Sequence, residues 1–265
     1  MYDFAYHKPA SIADAVALLA GDPEARPLAG GQTLIPVLKQ RLNKPSKLID
    51  LSGLGLNRIS VSGNALSIGA MTPHATVANS ADVQRAIPAL AKLAGGIGDN
   101  QVRNRGTIGG SLANNDPAAC YPAAVLGLGA TVVTNKRRIA ADDFFQGMFT
   151  TALEPGEIIT EVVFPLPVEK AAYMKFAQPA SRFALVGVFV AKGPAGVRVA
   201  VTGAGQNGVF RQREMEAALT ARFAPDAIAN IKTPPDQLNS DIHGSAEYRS
   251  HLITVMAKRA VAAAA

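Results

Sequence analysis

Two glycine pairs constrain this chain more than anything else in it. Ala29-Gly30-Gly31-Gln32-Thr33 and Thr107-Ile108-Gly109-Gly110-Ser111 lie far apart, yet each follows its glycines with polar sequence carrying a hydroxyl and then a leucine. Loss of two Cβ atoms lets a backbone turn sharply and lets its N–H groups face an anion. One such turn is usually only a turn. Two of the same chemistry predict two walls of one diphosphate cleft.

The flanking sequence supports that placement. Pro27-Leu28-Ala29 reads as an extended lead, and Thr33 as the start of a helix with Pro36 in its first turns. A strand, glycine turn and helix in that order leave helix N–H groups beside the turn. Ser11 is placed to cap a helix carrying Ile12, Ala15, Val16 and Leu19 on one stripe, and Lys47–Leu51 reads as a strand. Arg58–Gly69 alternates about Ser62-Gly63-Asn64 as a hairpin. Thr72-Pro73 opens a helix bearing His74, and Ile87–Ala94 is a helix closed by Gly95-Gly96. Gly98–Arg105 reads as a polar loop that offers Arg103 and Arg105 to diphosphate charge.

Beyond the second glycine turn, Asn114-Asn115-Asp116-Pro117 is a turn, Tyr121–Leu128 a helix and Ala130–Thr134 a strand. Asp142–Phe145 begins a short helix, and Ile158–Phe164 is a strand. Pro165-Leu166-Pro167 marks the domain boundary. After it come strands at Tyr173–Phe176, Leu185–Ala191 and Val197–Thr202, a helix over Arg211–Phe223 and a last helix over Ala246–Ala263.

Several function classes lose ground. Net charge is +6 with a pI near 9.5, but the Lys and Arg are scattered; with 6% aromatics and no Trp, nucleic-acid binding is not expected. Cys120 is the single cysteine, so this chain alone holds no disulfide and no iron–sulfur cluster; it reads as a small buried hydrophobe. The four histidines are too dispersed for a metal site, and neither a Walker A loop nor a Gly-x-Ser-x-Gly elbow is present. Asp50, Asp116, Asp142 and Asp143 read as turn or cap residues. No apolar run is long enough to cross a membrane, and a cytoplasmic protein is expected.

Gly203-Ala204-Gly205-Gln206-Asn207-Gly208 matches G-x-G-x-x-G, with a strand before it and a helix expected after. That strand follows its predecessor through only Lys192-Gly193-Pro194-Ala195-Gly196. So short a link makes antiparallel neighbours, whereas a dinucleotide fold needs a parallel crossover. The stretch is therefore expected to be a plain glycine-rich turn.

Four stretches in order, Ala29–Pro36 (AGGQTLIP), Val102–Pro117 (VRNRGTIGGSLANNDP), Glu154–Glu161 (EPGEIITE) and Ser240–Arg249 (SDIHGSAEYR), carry a family resemblance. The chain resembles the FAD-binding medium subunit of the molybdenum hydroxylases, which include aerobic carbon monoxide dehydrogenase and xanthine dehydrogenase relatives. The resemblance implies an α+β fold: two FAD-binding subdomains of the para-cresol methylhydroxylase type, then a C-terminal three-stranded antiparallel sheet with a helical bundle. The divisions expected are about 1–54 and 55–168 for the FAD-binding domain and 169–265 for the C-terminal one.

By the same resemblance, Ala29, Gly30, Gly31, Gln32, Thr33 and Leu34 with Thr107, Ile108, Gly109, Gly110 and Ser111 contact the FAD diphosphate and its surroundings. Asp116 is implied at the adenosine or ribityl end, and Ile159 near the isoalloxazine or adenine. Lys175 reaches the flavin region from the C-terminal domain. Where the family often has Asp-Tyr this chain has Arg182-Phe183, and Phe183 offers no hydroxyl.

The implied partners are a small subunit with two [2Fe–2S] clusters and a large subunit with a molybdopterin cofactor, in a dimer of heterotrimers. Carbon monoxide, an aldehyde or an N-heterocycle is oxidised on the large subunit, and this FAD passes the electrons to quinone, oxygen or NAD. No acid, base and nucleophile constellation is found, as suits a chain whose cofactor carries the chemistry. The alternatives are a stand-alone flavoprotein reductase of the same fold and a non-catalytic flavin carrier or assembly module.

Overall fold

The computed structural model describes residues 1–264. Its first unit alternates strand and helix: β1 (Ala5–His7), α1 (Ile12–Ala20), β2 (Arg26–Leu28), α2 (Leu34–Lys39) and β3 (Lys47–Asp50). The three strands are parallel in the order β1-β3-β2, with Tyr6 opposite Leu48 and Pro27 opposite Ile49. Pro27 is tolerated because β2 is an edge strand, where no ladder donor is needed. Ser11 caps α1 by accepting the Asp14 N–H at 3.1 Å. Ala15, Leu19, Ile49 and Leu51 form a small core under the sheet.

The second unit holds β4 (Ile59–Ser62), β5 (Ala65–Gly69), α3 (His74–Asn79), α4 (Ala81–Ala86), α5 (Pro88–Gly95), α6 (Asn100–Arg105), α7 (Ile108–Asn114) and α8 (Tyr121–Gly127). It continues with β6 (Thr131–Thr134), β7 (Arg138–Ala140), α9 (Ala141–Phe144), β8 (Phe145–Gly147), β9 (Thr150–Thr151) and β10 (Ile159–Pro165). Five of these strands form an antiparallel sheet, β4-β5-β10-β6-β7. Val162 and Phe164 of the central β10 are buried, as are Leu66 and Ile68 beside them. The helices pack through Leu90, Leu93, Leu112, Tyr121 and Val125.

Gly98–Arg105, expected as a loop, contains α6. Asp99 nucleates it by accepting the Val102 N–H at 2.8 Å. Six residues with Val102 as the single apolar one are too few to show a period, so the cap was the only sequence signal.

The third unit comprises β11 (Lys170–Ala177), β12 (Ala184–Gly193), β13 (Gly196–Thr202), β14 (Phe210–Arg211), α10 (Arg213–Ala221) and α11 (Ala246–Ala263). Its antiparallel sheet has four strands, β11-β12-β13-β14, where three were expected. The extra strand is two residues long, pairing Ala200 with Arg211 and Val201 with Phe210, too short for alternation to reveal. The helical part amounts to α10 and α11 with short 3₁₀ turns at Pro225–Ile228 and Pro235–Gln237.

Strand β12 is buried along both faces, which explains its unbroken apolar run. Val186, Val188 and Val190 face a core shared with Ile253, Met256 and Val261 of α11. Phe189 and Ala191 instead join the core of the second unit. Gly127 of α8 permits this, since a β-carbon there would lie 2.9 Å from the Phe189 ring. Strand β13 pairs antiparallel with β12, and the glycine-rich stretch after it leads into β14 rather than directly into a helix. No helix among the described residues is long and apolar enough to cross a membrane.

Candidate functional site

The edge of β2 delivers Ala29, Gly30 and Gly31 to the mouth of a cleft of about 760 Å³ that runs among the three units. This lies within the ~300–1,000 Å³ of small-molecule and cofactor sites. Of the residues named above for a cofactor, all but Ile108 line it: Ala29, Gly30, Gly31, Gln32, Thr33, Leu34, Thr107, Gly109, Gly110, Ser111, Asp116, Ile159, Lys175 and Phe183. Ile108 is fully buried and packs in the core beneath.

The two glycine turns are alike in sequence and unlike in structure. In the first, none of the backbone N–H groups from Gly30 to Leu34 finds an acceptor among the described residues. Gly31 adopts φ +74°, which an L side chain rarely takes, and the turn is followed at once by α2. Thr33 makes no capping bond with its hydroxyl. The result is a run of unspent donors on the cleft wall.

The second turn is an N-cap. Thr107 Oγ1 accepts the Gly110 N–H at 3.1 Å, starting α7. The Ile108 N–H donates to Thr72 O at 3.2 Å, Gly109 N–H to Ala70 O at 2.8 Å and Ser111 N–H to Thr107 O at 3.0 Å. Its donors are thus spent on the protein, against the expectation of a matching anion wall. Its glycines serve close approach instead: a β-carbon on Gly109 would lie 2.7 Å from the Ala70 carbonyl oxygen.

Arg103 and Arg105 do not line the cleft. The Arg103 guanidinium closes the start of α6 on itself, donating to Ile97 O at 2.9 Å and Gly98 O at 3.1 Å. Asp116 lines the cleft, with Oδ1 accepting the Ala118 N–H at 2.8 Å. Lys175 projects from β11 and ties three segments together: Nζ donates to Gly96 O at 2.7 Å and Arg182 O at 3.0 Å and lies 3.7 Å from Cys120 Sγ. Cys120 is buried, as expected, but it also forms part of the cleft wall. Phe183 is 50% exposed in the loop between β11 and β12.

His74 and Glu157 also line the cleft and carried no sequence signal for it. His74 is 5% exposed and its Nδ1 has no partner. Burial, and behind it the Arg103 guanidinium, pulls its pKa down to about 4, so the ring is neutral at pH 7. Its ring lies 5.3 Å from that of Tyr121. For Glu157, burial pushes the carboxyl up. Hydrogen bonds from Arg137, the Glu154 N–H and Thr134 outweigh it and hold the pKa at about 2. The Arg137 Nε donates at 3.0 Å, so this carboxylate is already paired. Gly203, in the G-x-G-x-x-G stretch, donates its N–H to Pro117 O at 2.7 Å, and that stretch lies off the cleft.

The cleft therefore combines unspent neutral donors, apolar walls from Ile158, Ile159 and Leu153, and two cations from the third unit. Such a lining suits an anionic, ring-bearing cofactor.

Comparison with known proteins gives the same direction. The family model described as "FAD binding domain in molybdopterin dehydrogenase" matches residues 2–167. The nicotine 6-hydroxylase medium subunit of Paenarthrobacter nicotinovorans is 38% identical over 97% of this chain and 95% of that protein. The carbon monoxide dehydrogenase medium chain of Afipia carboxidovorans is 37% identical over 97% and 95%. Among solved structures, the Cu,Mo-CO dehydrogenase in its cyanide-inactivated form superposes with a TM-score of 0.90 at 35% identity, covering 98% of this chain and 97% of that one. Quinoline 2-oxidoreductase from Pseudomonas putida 86 superposes at 0.89 and 32% identity, covering 99% and 97%.

Proposed function

Because this chain belongs to the family of FAD-binding medium subunits of the molybdopterin hydroxylases, we propose that it is the electron-relay subunit of such a complex. In this reading it takes electrons from [2Fe–2S] clusters on a small partner subunit and passes them through FAD to a terminal acceptor. The substrate is oxidised at a molybdopterin cofactor on a large partner subunit, and the three chains assemble as a dimer of heterotrimers. The relatives named above act on nicotine, carbon monoxide and quinoline, so the substrate class follows the partner and not this chain.

One observation carries the reading: the unpaired N–H run of Gly30–Leu34 on the wall of a cleft large enough for a dinucleotide. These donors suit a diphosphate, which needs several hydrogen bonds and little added charge. Thr33 and Ser111 add hydroxyls, and Gly110 lets the second turn lie close against Ala29 of the first. Bound there, FAD supplies one- and two-electron redox chemistry. The chain's own work is to hold the diphosphate at Gly30–Leu34, to bed one end of the cofactor on Ile158 and Ile159, and to close the third unit over it through Lys175. The units about 1–54, 55–168 and 169–265 then form the two FAD-binding subdomains of the para-cresol methylhydroxylase type and the domain that closes on them.

The test uses the native complex. Purified with its partners, it shows flavin absorbance that bleaches on adding the holoenzyme's substrate and returns on adding an acceptor. A flavin that stays oxidised while the partner metals are reduced overturns the relay.

A further inference from the structure

The charges on the cleft wall are nearly all spoken for. Asp99 caps α6, Asp116 accepts from Ala118, and Glu157 is held by Arg137. Arg26 donates to Pro23 O at 2.6 Å and Ala25 O at 2.9 Å. Lys175 is bound by two carbonyls. Arg182 is different. Its guanidinium makes no hydrogen bond or ion pair with any described residue, although it lines the cleft. An exposed arginine on a rim is ordinary in itself, but its backbone is not.

Arg182 sits at φ +61°, in the left-handed region. A non-glycine residue is strained there and persists only where the surroundings enforce it. Here they do. Its N–H donates to Gln178 O at 2.8 Å, and its carbonyl accepts from Lys175 Nζ at 3.0 Å. The Gln178 side chain fastens the rest of the turn, taking the Ala180 N–H at 2.5 Å and the Ser181 N–H at 2.9 Å. A six-residue loop is thus locked so that an unpaired cation and the half-exposed Phe183 stand together on the cleft rim.

This rim is not the diphosphate wall. The unspent donors lie on the turn whose Gly30 seats on Arg105 and Gly106, at the C-terminal end of α6. The Arg182 loop is tied through Lys175 to Gly96, before that helix begins. Six helical residues, about 9 Å of axial rise, lie between.

We propose that this rim takes the flavin ring and that Arg182 sets its potential: the guanidinium places positive charge there and so favours the reduced, more negative form of the cofactor. The inference rests on the flavin reading above. It assigns Arg182 a role that differs from holding the diphosphate, and the electrostatic ground is simple. A unit charge several ångströms away through partly solvated protein shifts such an equilibrium by on the order of tenfold.

The experiment compares the wild-type chain with Arg182→Gln and Arg182→Lys, each loaded with FAD. Midpoint potential and FAD dissociation constant are measured at low and high salt. Arg182→Gln is expected to move the potential to more negative values, by on the order of tenfold in the oxidised-to-reduced ratio at fixed ambient potential. Arg182→Lys keeps the wild-type value, FAD affinity is unchanged in both, and the difference shrinks as salt rises. An unchanged potential in Arg182→Gln with full FAD occupancy overturns the proposal. So does a loss of affinity at constant potential, which would give the charge to the diphosphate. A wild-type chain that binds no FAD overturns the flavin reading as well.

Discussion

Gly30 seats its Cα directly on the backbone of Arg105: a β-carbon at position 30 would overlap the Arg105 carbonyl oxygen and lie 2.8 Å from Gly106 Cα. The first glycine turn is therefore pressed onto the end of the helix that leads into the second. The two motifs form one wall because the first sits on the residues that lead directly into the second, and its N–H groups stay unspent there.

Gly30→Ala and Gly110→Ala should consequently behave differently. At Gly30 both clashing partners are backbone and neither can rotate away, so a cost of about 3 kcal/mol or more is expected, with loss of FAD retention. At Gly110 the new methyl meets Thr107 Oγ1 at 2.9 Å and Ala29 Cβ at 3.5 Å. A cost of about 1 kcal/mol is expected there. Thermal melting and flavin stoichiometry of the two variants check this; equal melting temperatures would refute the seat.

His74 makes stability fall on mild acidification. The unfolded imidazole takes up a proton near pH 6.5, whereas the buried one resists until about pH 4. Stability is therefore fully present above pH 6.5 and is lost as pH falls toward 4, by about 3 kcal/mol at most. In His74→Leu this part of the slope should vanish, even if the variant is weaker at pH 7. Urea unfolding at several pH values between 7 and 4 reads the difference directly, and a wild-type slope in the variant would rule His74 out as its source.

Arg249 of α11 is 3% exposed and donates to Leu185 O at 2.8 Å, Gly203 O at 2.9 Å and Asp241 Oδ2 at 2.7 Å. Arg249→Met keeps most of the volume but strands two buried carbonyls, at about 1–3 kcal/mol each. We expect a loss of about 3 kcal/mol, with Arg249→Lys recovering part of it. Chemical denaturation of both variants gives the answer, and a Met variant as stable as wild type would show that water replaces the guanidinium.

Much of the fold was legible because it is written in local chemistry. The last helix begins after Ser245, whose hydroxyl takes the Tyr248 N–H, and runs over the expected residues. The Arg58–Gly69 hairpin and the strand after the Ile158 position follow from alternation and turn residues. Helix α6 and strand β14 escaped because each is too short for a period to accumulate. Cys120 was legible as buried, but its place beside Lys175 depends on a residue far along the chain that arrives on another sheet.

The sequence by itself determined where the chain turns, which residues are apolar and that two glycine pairs share a pattern. Those properties depend on covalent chemistry and on neighbours a few residues away. Only the tertiary structure decided which pair keeps its donors. Thr72 and Ala70 lend their carbonyls to the second turn, while no group among the described residues accepts from the first. Burial decided in the same way that His74 stays neutral, and three converging segments decided where Lys175 puts its charge. Hydrogen-bond partners and desolvation come from parts of the chain remote in sequence, so no local pattern could have divided the labour between two motifs that read alike.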